Sequence, residues 1–205
     1  MIKNIVFDMG QVLLHWSPRK LMDRLELSEE DKLLLLDELF GDVEWTAMDR
    51  GRLSPDEVYR LVSPRLPERL HSKADYLINH WWEDGLDPFE GMDELIAELK
   101  RNGYCIYLLT NAPSYVHRYL DSVPGSKYFS GVLVSADEKL LKPEHEIYER
   151  LYERFHLNAG ECLFIDDNPA NVDGAACTGM NGIVFRGDIP RLRRDLKRFG
   201  VDVSE

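Results

Sequence analysis

Five short apolar runs along the chain have the length and residue choice of buried strands. They are Asn4–Asp8, Tyr104–Thr110, Gly131–Ser135, Glu161–Asp167 and Gly182–Phe185, each rich in Ile, Val, Leu or Phe. Around the later runs the apolar positions change to a helical period. Met92, Leu95, Ile96 and Leu99 make one stripe, stopped by Gly103, and Ile147, Tyr148, Leu151 and Phe155 make another. Continuous apolar runs alternating with amphipathic helices predict an α/β architecture: a parallel sheet buried on both faces, with right-handed crossovers.

Residues from about 17 to 84 break this rhythm. They hold no convincing strand and several helix starts. Ser54-Pro55-Asp56-Glu57 is a full capping box with proline at the first helical position, and Ser28-Glu29-Glu30-Asp31 opens the Leu33–Leu36 run as a weaker variant. The pattern predicts a helical block, Trp16–Asp84, inserted after the first strand. The chain on either side, residues 1–15 and 85–205, forms one α/β core.

Composition narrows the function classes. The 205 residues, 44% hydrophobic, suffice for a real core. A net charge of −12, with basic residues dispersed except near the C-terminus, argues against nucleic acid as a partner. The cluster Arg191, Arg193, Arg194, Lys197 and Arg198 is interleaved with Leu192, Leu196 and Phe199, which reads as a solvated C-terminal helix. No apolar stretch approaches membrane-spanning length, and strand-like sequence begins at Ile2 without a leader. Cys105, Cys162 and Cys177 lack metal-ligand spacing and are read as reduced, buried thiols. These features predict a cytoplasmic protein and leave its oligomeric state open.

Four segments carry candidate chemistry: Asp8 in Ile5-Val6-Phe7-Asp8-Met9-Gly10, Thr110-Asn111, Lys142-Pro143 and Asp166-Asp167. Three of them directly follow predicted strands, and open α/β sheets bind ligands at the carboxyl ends of their strands. A carboxylate fixed there can act as a nucleophile toward phosphorus, which suits Asp8. The Thr110 hydroxyl and nearby backbone N–H groups can donate to phosphate oxygens, and Lys142 can neutralise charge on nucleophile and phosphoryl group. Two adjacent carboxylates, Asp166 and Asp167, repel unless a cation is present, and Mg²⁺ is the usual hard ion beside phosphate. Taken singly, each segment has a structural explanation: a capping Asp, a turn pair, a surface lysine. Together they are hard to obtain by chance.

The order and spacing of the four segments resemble the haloacid dehalogenase-like hydrolases, most of which are phosphatases. The resemblance implies a Rossmann-like core, and a helical cap at the position of the inserted block. It implies a metal bound by Asp8, Asp167 and the main-chain carbonyl of Gly10. Asp166 would act through water or hold Lys142, and Asn171 supports the metal shell or caps a helix. Gly10, Thr110, Asn111 and Lys142 would hold the phosphate. The implied activity is Mg²⁺-dependent hydrolysis of a small phosphorylated metabolite, a sugar phosphate among the candidates, through an aspartyl-phosphate.

One position departs from the family's commonest pattern. Most of its phosphatases carry a second Asp two residues after the nucleophile, where it protonates the leaving group; here Gly10 stands there. The substrate then has a good leaving group, or another donor such as His15, Asp49 or water acts, or the protein is a weakly active phospho-ligand-binding regulator. Phe7-Asp8-Met9-Gly10-Gln11-Val12 and Asp49-Arg50-Gly51-Arg52-Leu53-Ser54 are similar to a branch that includes sugar-phosphate phosphatases, which favours an active enzyme. A 2-haloacid dehalogenase also lacks the second Asp, but it works without metal and lacks the pair matching Asp166-Asp167. Arg50 and Arg52 are placed near substrate or in a purely structural turn. Trp45 has no assigned role, and Trp81-Trp82 is read first as cap–core packing.

Overall fold

The computed structural model describes residues 1–41, 43–83 and 86–204. Five parallel strands form its sheet: β1 Asn4–Phe7, β2 Cys105–Thr110, β3 Phe129–Val134, β4 Cys162–Asp166 and β5 Asn181–Val184. Their order is β3-β2-β1-β4-β5. The chain moves outward from β1 through β2 to β3, then returns to the other side of β1 for β4 and β5. This Rossmann-like order puts the reversal at β1, so the carboxyl ends of β1, β2 and β4 converge at the ligand-binding crevice of such sheets.

Strand pairing fixes that convergence. Phe7 pairs with both Leu108 and Ile165, and the Asp8 N–H donates to the Ile165 carbonyl at 2.9 Å. The strands are buried on both faces. Ile5 and Phe7 enter one core with Leu95, Ile96, Leu163 and Leu192, while Val6 joins Tyr107, Leu109, Phe164 and Tyr148 in the other. The five expected strands are all present. β3 starts two residues earlier than its apolar run suggested, because the register slips between Ile106↔Phe129 and Tyr107↔Gly131 and absorbs Ser130.

Helices α1 Pro18–Asp23, α2 Glu29–Leu35, α3 Val43–Asp49, α4 Pro55–Val62 and α5 His71–Asn79 follow β1. A wider turn, Leu36–Phe40, extends α2. Ser54 caps α4 with the reciprocal Glu57 bonds of a capping box, whereas Ser28 only accepts from the Asp31 N–H. Around the sheet lie α6 Met92–Arg101, α7 Ser135–Glu138, α8 His145–Phe155, α9 Pro169–Cys177 and α10 Ile189–Arg198. The chain leaves and re-enters the sheet domain along adjacent paths: the Phe89 N–H donates to Leu13 O at 3.0 Å and the His15 N–H to Asp87 O at 2.7 Å. The boundary expected at Asp84 and Gly85 lies outside the described residues. Among the described residues, no helix is long and apolar enough to cross a membrane.

Candidate active site

Three strand ends and one loop build the charged floor of the site. Asp8 follows β1, Thr110 ends β2 with Asn111 next, and Asp166 ends β4 with Asp167 next. Lys142 comes from the loop between α7 and α8. Its Nζ lies 2.7 Å from Asp8 Oδ1, 2.7 Å from Asp166 Oδ2 and 3.1 Å from the Leu109 carbonyl. Those three acceptors match the three N–H donors of an ammonium, so the group is held in one orientation.

The remaining polar groups hold the charged ones. Both Asp166 oxygens accept from Asn171 Nδ2 at 3.1 Å, and Oδ1 also accepts from the Asn168 N–H at 2.8 Å. Asp166 is fully buried and its bonding capacity is largely used within the protein, which makes it a support for Lys142. The Asn111 side chain is likewise engaged: its Nδ2 donates to Lys142 O at 3.0 Å and its Oδ1 accepts from Lys142 N at 2.9 Å. Asn171 is placed by α9, whose start is capped by Asn168 with Pro169 in the first turn.

Charge does not balance in this pocket. Asp8, Asp166 and Asp167 bring oxygens within 4.8 Å of one another, and one ammonium faces them. Burial pushes Asp8 up to about 7, with Lys142 opposing the rise and Asp166 adding to it. Burial, and then Asp166, also raise Asp167. Burial alone would lower Lys142, but Asp8 and Asp166 outweigh it and hold the ammonium charged, above the usual lysine range. Excess carboxylate in a desolvated site, all of it hard oxygen, is a donor set that fits a divalent cation such as Mg²⁺.

The rest of the cavity lining, its upper wall, has different chemistry. A cavity of about 310 Å³ opens over the charged floor, lined by Asp8, Gly10, Thr110, Asn111, Lys142 and Asn171 below. Trp16, Phe40, Trp45, Trp81, Tyr115 and Tyr119 line the rest of it, with Asp49 among them. The rings pack on one another: Phe40 and Trp45 lie 4.5 Å apart between centroids, and Trp16 is 5.9 Å from Trp45. Trp81 Nε1 donates to Tyr115 Oη at 3.3 Å, which occupies that polar pair. Asp49 was a candidate in the sequence, whereas Trp45 had no assigned role, Trp81 was read first as packing and the rest of this wall went unrecognised, because a lone aromatic in a helical segment reads as core.

The segment around Asp49 is docked onto the sheet domain by three contacts. Ser135 Oγ, wholly buried, donates to Asp49 O at 2.5 Å and accepts from the Ala112 N–H at 2.9 Å. The Arg50 guanidinium makes a two-pronged ion pair with Glu144, two residues past Lys142. Lys139 Nζ donates to Gly51 O. Gly51 has φ +69°, and a Cβ there would stand 2.2 Å from Ala136 O, so the close approach requires glycine. Arg50 is thus committed to Glu144, and Arg52 lies outside the cavity lining. His15 is also outside it, its ring tilted against Phe89 with centroids 3.6 Å apart.

Comparison with known proteins gives the same frame. The model of a hydrolase family, haloacid dehalogenase-like hydrolase, matches residues 2–179. A sesquiterpene phosphatase of Aspergillus oryzae is 30% identical over 182 residues, 88% of each chain. The chloroplast flavin mononucleotide hydrolase 1 of Arabidopsis thaliana is 32% identical over 168 residues, 78% of this chain and 63% of its own length. A family enzyme of Bacteroides thetaiotaomicron, crystallised with magnesium and inorganic phosphate, superposes with a TM-score of 0.70 at 21% identity, covering 94% of this chain and 99% of that one. The last likeness speaks for the fold alone. Because the family match spans all four motif segments and the strands that carry three of them, the chain belongs to the haloacid dehalogenase-like hydrolases.

Proposed function

We propose that this phosphoric monoester hydrolase is a Mg²⁺-dependent phosphatase that acts through an aspartyl-phosphate on Asp8. The observation that carries the reading is the Lys142 ammonium held 2.7 Å from both Asp8 and Asp166 at the floor of a cavity of substrate size. Asp8, Asp167 and the Gly10 carbonyl would hold the metal, which when bound offsets the negative charge of phosphate and carboxylates. Asp8 attacks phosphorus while Lys142 balances charge on both. Thr110, with neighbouring main-chain N–H groups, orients the phosphoryl oxygens, and Asn111 and Asp166 keep Lys142 in place. Water then opens the acyl-phosphate and releases inorganic phosphate.

We read residues 16–84 as a cap over a core of residues 1–15 and 85–205. The adjacent chain crossings at 13–15 and 87–89 support this, as does the supply of Trp16, Phe40, Trp45 and Trp81 to the upper wall. That wall also bears on the substrate. A sugar would seek hydrogen-bond partners for several hydroxyls, whereas the upper wall is mainly aromatic, with Asp49 its single carboxylate among the described residues. The small phosphorylated metabolite is therefore read as the monophosphate of an apolar or aromatic alcohol, in line with the sesquiterpene phosphatase and flavin mononucleotide hydrolase among its relatives. The three thiols are unpaired, which supports a cytoplasmic setting, but of the three expected to be buried only Cys162 is, with Cys105 half-buried and Cys177 exposed. The paired Asp166 and Asp167 weigh against a 2-haloacid dehalogenase, and the Asp8–Lys142 pair against a regulator without turnover.

The test is phosphate release from isoprenoid, aryl and sugar monophosphates, with and without Mg²⁺. Higher kcat/KM on the first two classes is expected. Release from sugar phosphates alone would refute the substrate class, and release from none would refute the activity.

A further inference from the structure

We propose that Asp49 is the general acid of the first half-reaction, giving its proton to the leaving oxygen in place of the carboxylate that position 10 lacks. The proposal rests on the phosphatase reading above. Asp49 ends α3 and lines the same cavity as Asp8, within electrostatic reach of it. An attacking group on the floor needs its leaving group on the opposite side, and Asp49 is the cavity's carboxylate outside the floor.

The surroundings suit the role. Its main chain is tied by one hydroxyl, Ser135 Oγ, to the Ala112 N–H two residues beyond Thr110. The acid is thereby referenced to the loop that holds the phosphate. The Arg50–Glu144 pair and the Lys139–Gly51 contact fix the next two residues to the same face. No hydrogen-bond donor among the described residues reaches the Asp49 carboxyl. Burial, and then the neighbouring Asp8, raise it well above the usual aspartate range, the direction a proton donor requires.

Other donors fit less well. His15 packs against Phe89 outside the cavity. Burial raises the Tyr115 and Tyr119 hydroxyls far above neutrality, and Tyr115 already accepts from Trp81. Lys142 is held by Asp8, Asp166 and Leu109 O.

An Asp8 oxygen bonds to phosphorus as the ester P–O bond breaks, and its electron pair remains on the leaving oxygen. The Asp49 proton moves to that oxygen, releasing the alcohol and leaving a carboxylate. In the second half-reaction that carboxylate takes a proton from the attacking water, and the enzyme is restored.

The experiment follows single-turnover formation of the aspartyl-phosphate from p-nitrophenyl phosphate, which needs no acid, and 2-phenylethyl phosphate, which does. Asp49→Asn is expected to slow the second by roughly 10²–10⁴-fold and to leave the first within about 5-fold. Adding Gly10→Asp should recover at least about tenfold of the loss on 2-phenylethyl phosphate. Position 10 can accept the change, since a Cβ there meets only Trp16 Cβ, at 3.7 Å. Equal losses on both substrates, or no loss on 2-phenylethyl phosphate, would overturn the assignment. A second measurement needs no variant: the wild-type rate across alcohols of graded pKa should be shallow, and a steep dependence would also overturn it. Failure of the wild type to hydrolyse p-nitrophenyl phosphate or to label Asp8 would instead remove the phosphatase reading itself.

Discussion

The two walls of the cavity follow different rules. The floor is built from residues whose positions are set by strand ends: Asp8, Thr110 and Asp166 lie on neighbouring strands of fixed register. Its energetics are those of buried charge, where each group needs its partner. The upper wall gathers Trp16, Phe40, Trp45, Trp81, Tyr115 and Tyr119 from distant segments, and its energetics are those of apolar contact, additive and tolerant. The contrast separates chemistry from selectivity. Changes to the floor should abolish the reaction, and changes to the upper wall should redistribute substrates.

The largest effect is expected at the nucleophile. Asp8→Asn should lower turnover by at least about 10⁴-fold on every phosphate ester, as loss of a covalent nucleophile does. The fold should survive, because the amide keeps the shape of the carboxylate and Lys142 retains Asp166 at 2.7 Å. Circular dichroism and phosphate release measure the two. EDTA should silence the wild type and Mg²⁺ restore it. Turnover persisting in Asp8→Asn would break the comparison at its base.

A second change probes the interdependence of the floor. Lys142→Met removes the ammonium and leaves Asp8 and Asp166 buried without it. Breaking a buried pair on one side costs roughly 3–5 kcal/mol, and urea denaturation at neutral pH should show a loss of that size. A loss below about 1 kcal/mol, the range of an exposed pair, would mean that solvent or a cation already screens the carboxylates.

The same contrast explains what the sequence revealed. The five strands were legible because residues such as Ile5, Phe7, Leu163 and Ile165 are buried on both faces and form continuous apolar runs. The candidate floor was legible because a polar residue ending such a run has few structural reasons to be there. The upper wall was not. Whether Phe40 or Trp45 faces a cavity or a core depends on how helices pack, and that information lies in contacts far along the chain. Ser135 was missed for a similar reason, since a serine opening a short helix is ordinary until its hydroxyl is seen joining Asp49 to Ala112. Arg50 was open to a substrate role in the sequence, and only the position of Glu144 gives it a partner.

Selectivity should respond at the upper wall with smaller effects. Trp45→Leu keeps an apolar side chain but withdraws part of the ring surface that meets Phe40 and Trp16. A lost contact of about 1.5 kcal/mol raises KM roughly tenfold for an apolar monophosphate. The kcat on p-nitrophenyl phosphate should stay within about twofold, because the charged floor is untouched. A fall in kcat on both would show that the wall also positions the floor, and the division of labour would fail.

The smallest effect is expected where the two walls are joined. Glu144 follows the Lys142–Pro143 step and binds Arg50, the residue after Asp49, so one ion pair links a loop of the floor to the upper wall. Both side chains are partly exposed, 19% for Arg50 and 34% for Glu144, so the pair should contribute no more than about 1 kcal/mol of stability. The hydrogen bond and charge of Arg50 hold the Glu144 carboxyl below the ordinary glutamate value of 4.5. The contribution is therefore complete above that value and is lost as pH falls through the lower value of the folded state. Glu144→Gln should accordingly lower stability slightly at pH 7 and converge with wild type at acid pH. Its kinetic effect should fall on alkyl phosphates, whose leaving group depends on where Asp49 sits, and should spare p-nitrophenyl phosphate. A fewfold drop in kcat confined to the alkyl substrate is the expected result. An equal drop on both would place the latch's influence on Lys142 instead, because Glu144 also accepts from the Leu141 N–H at 3.2 Å beside it.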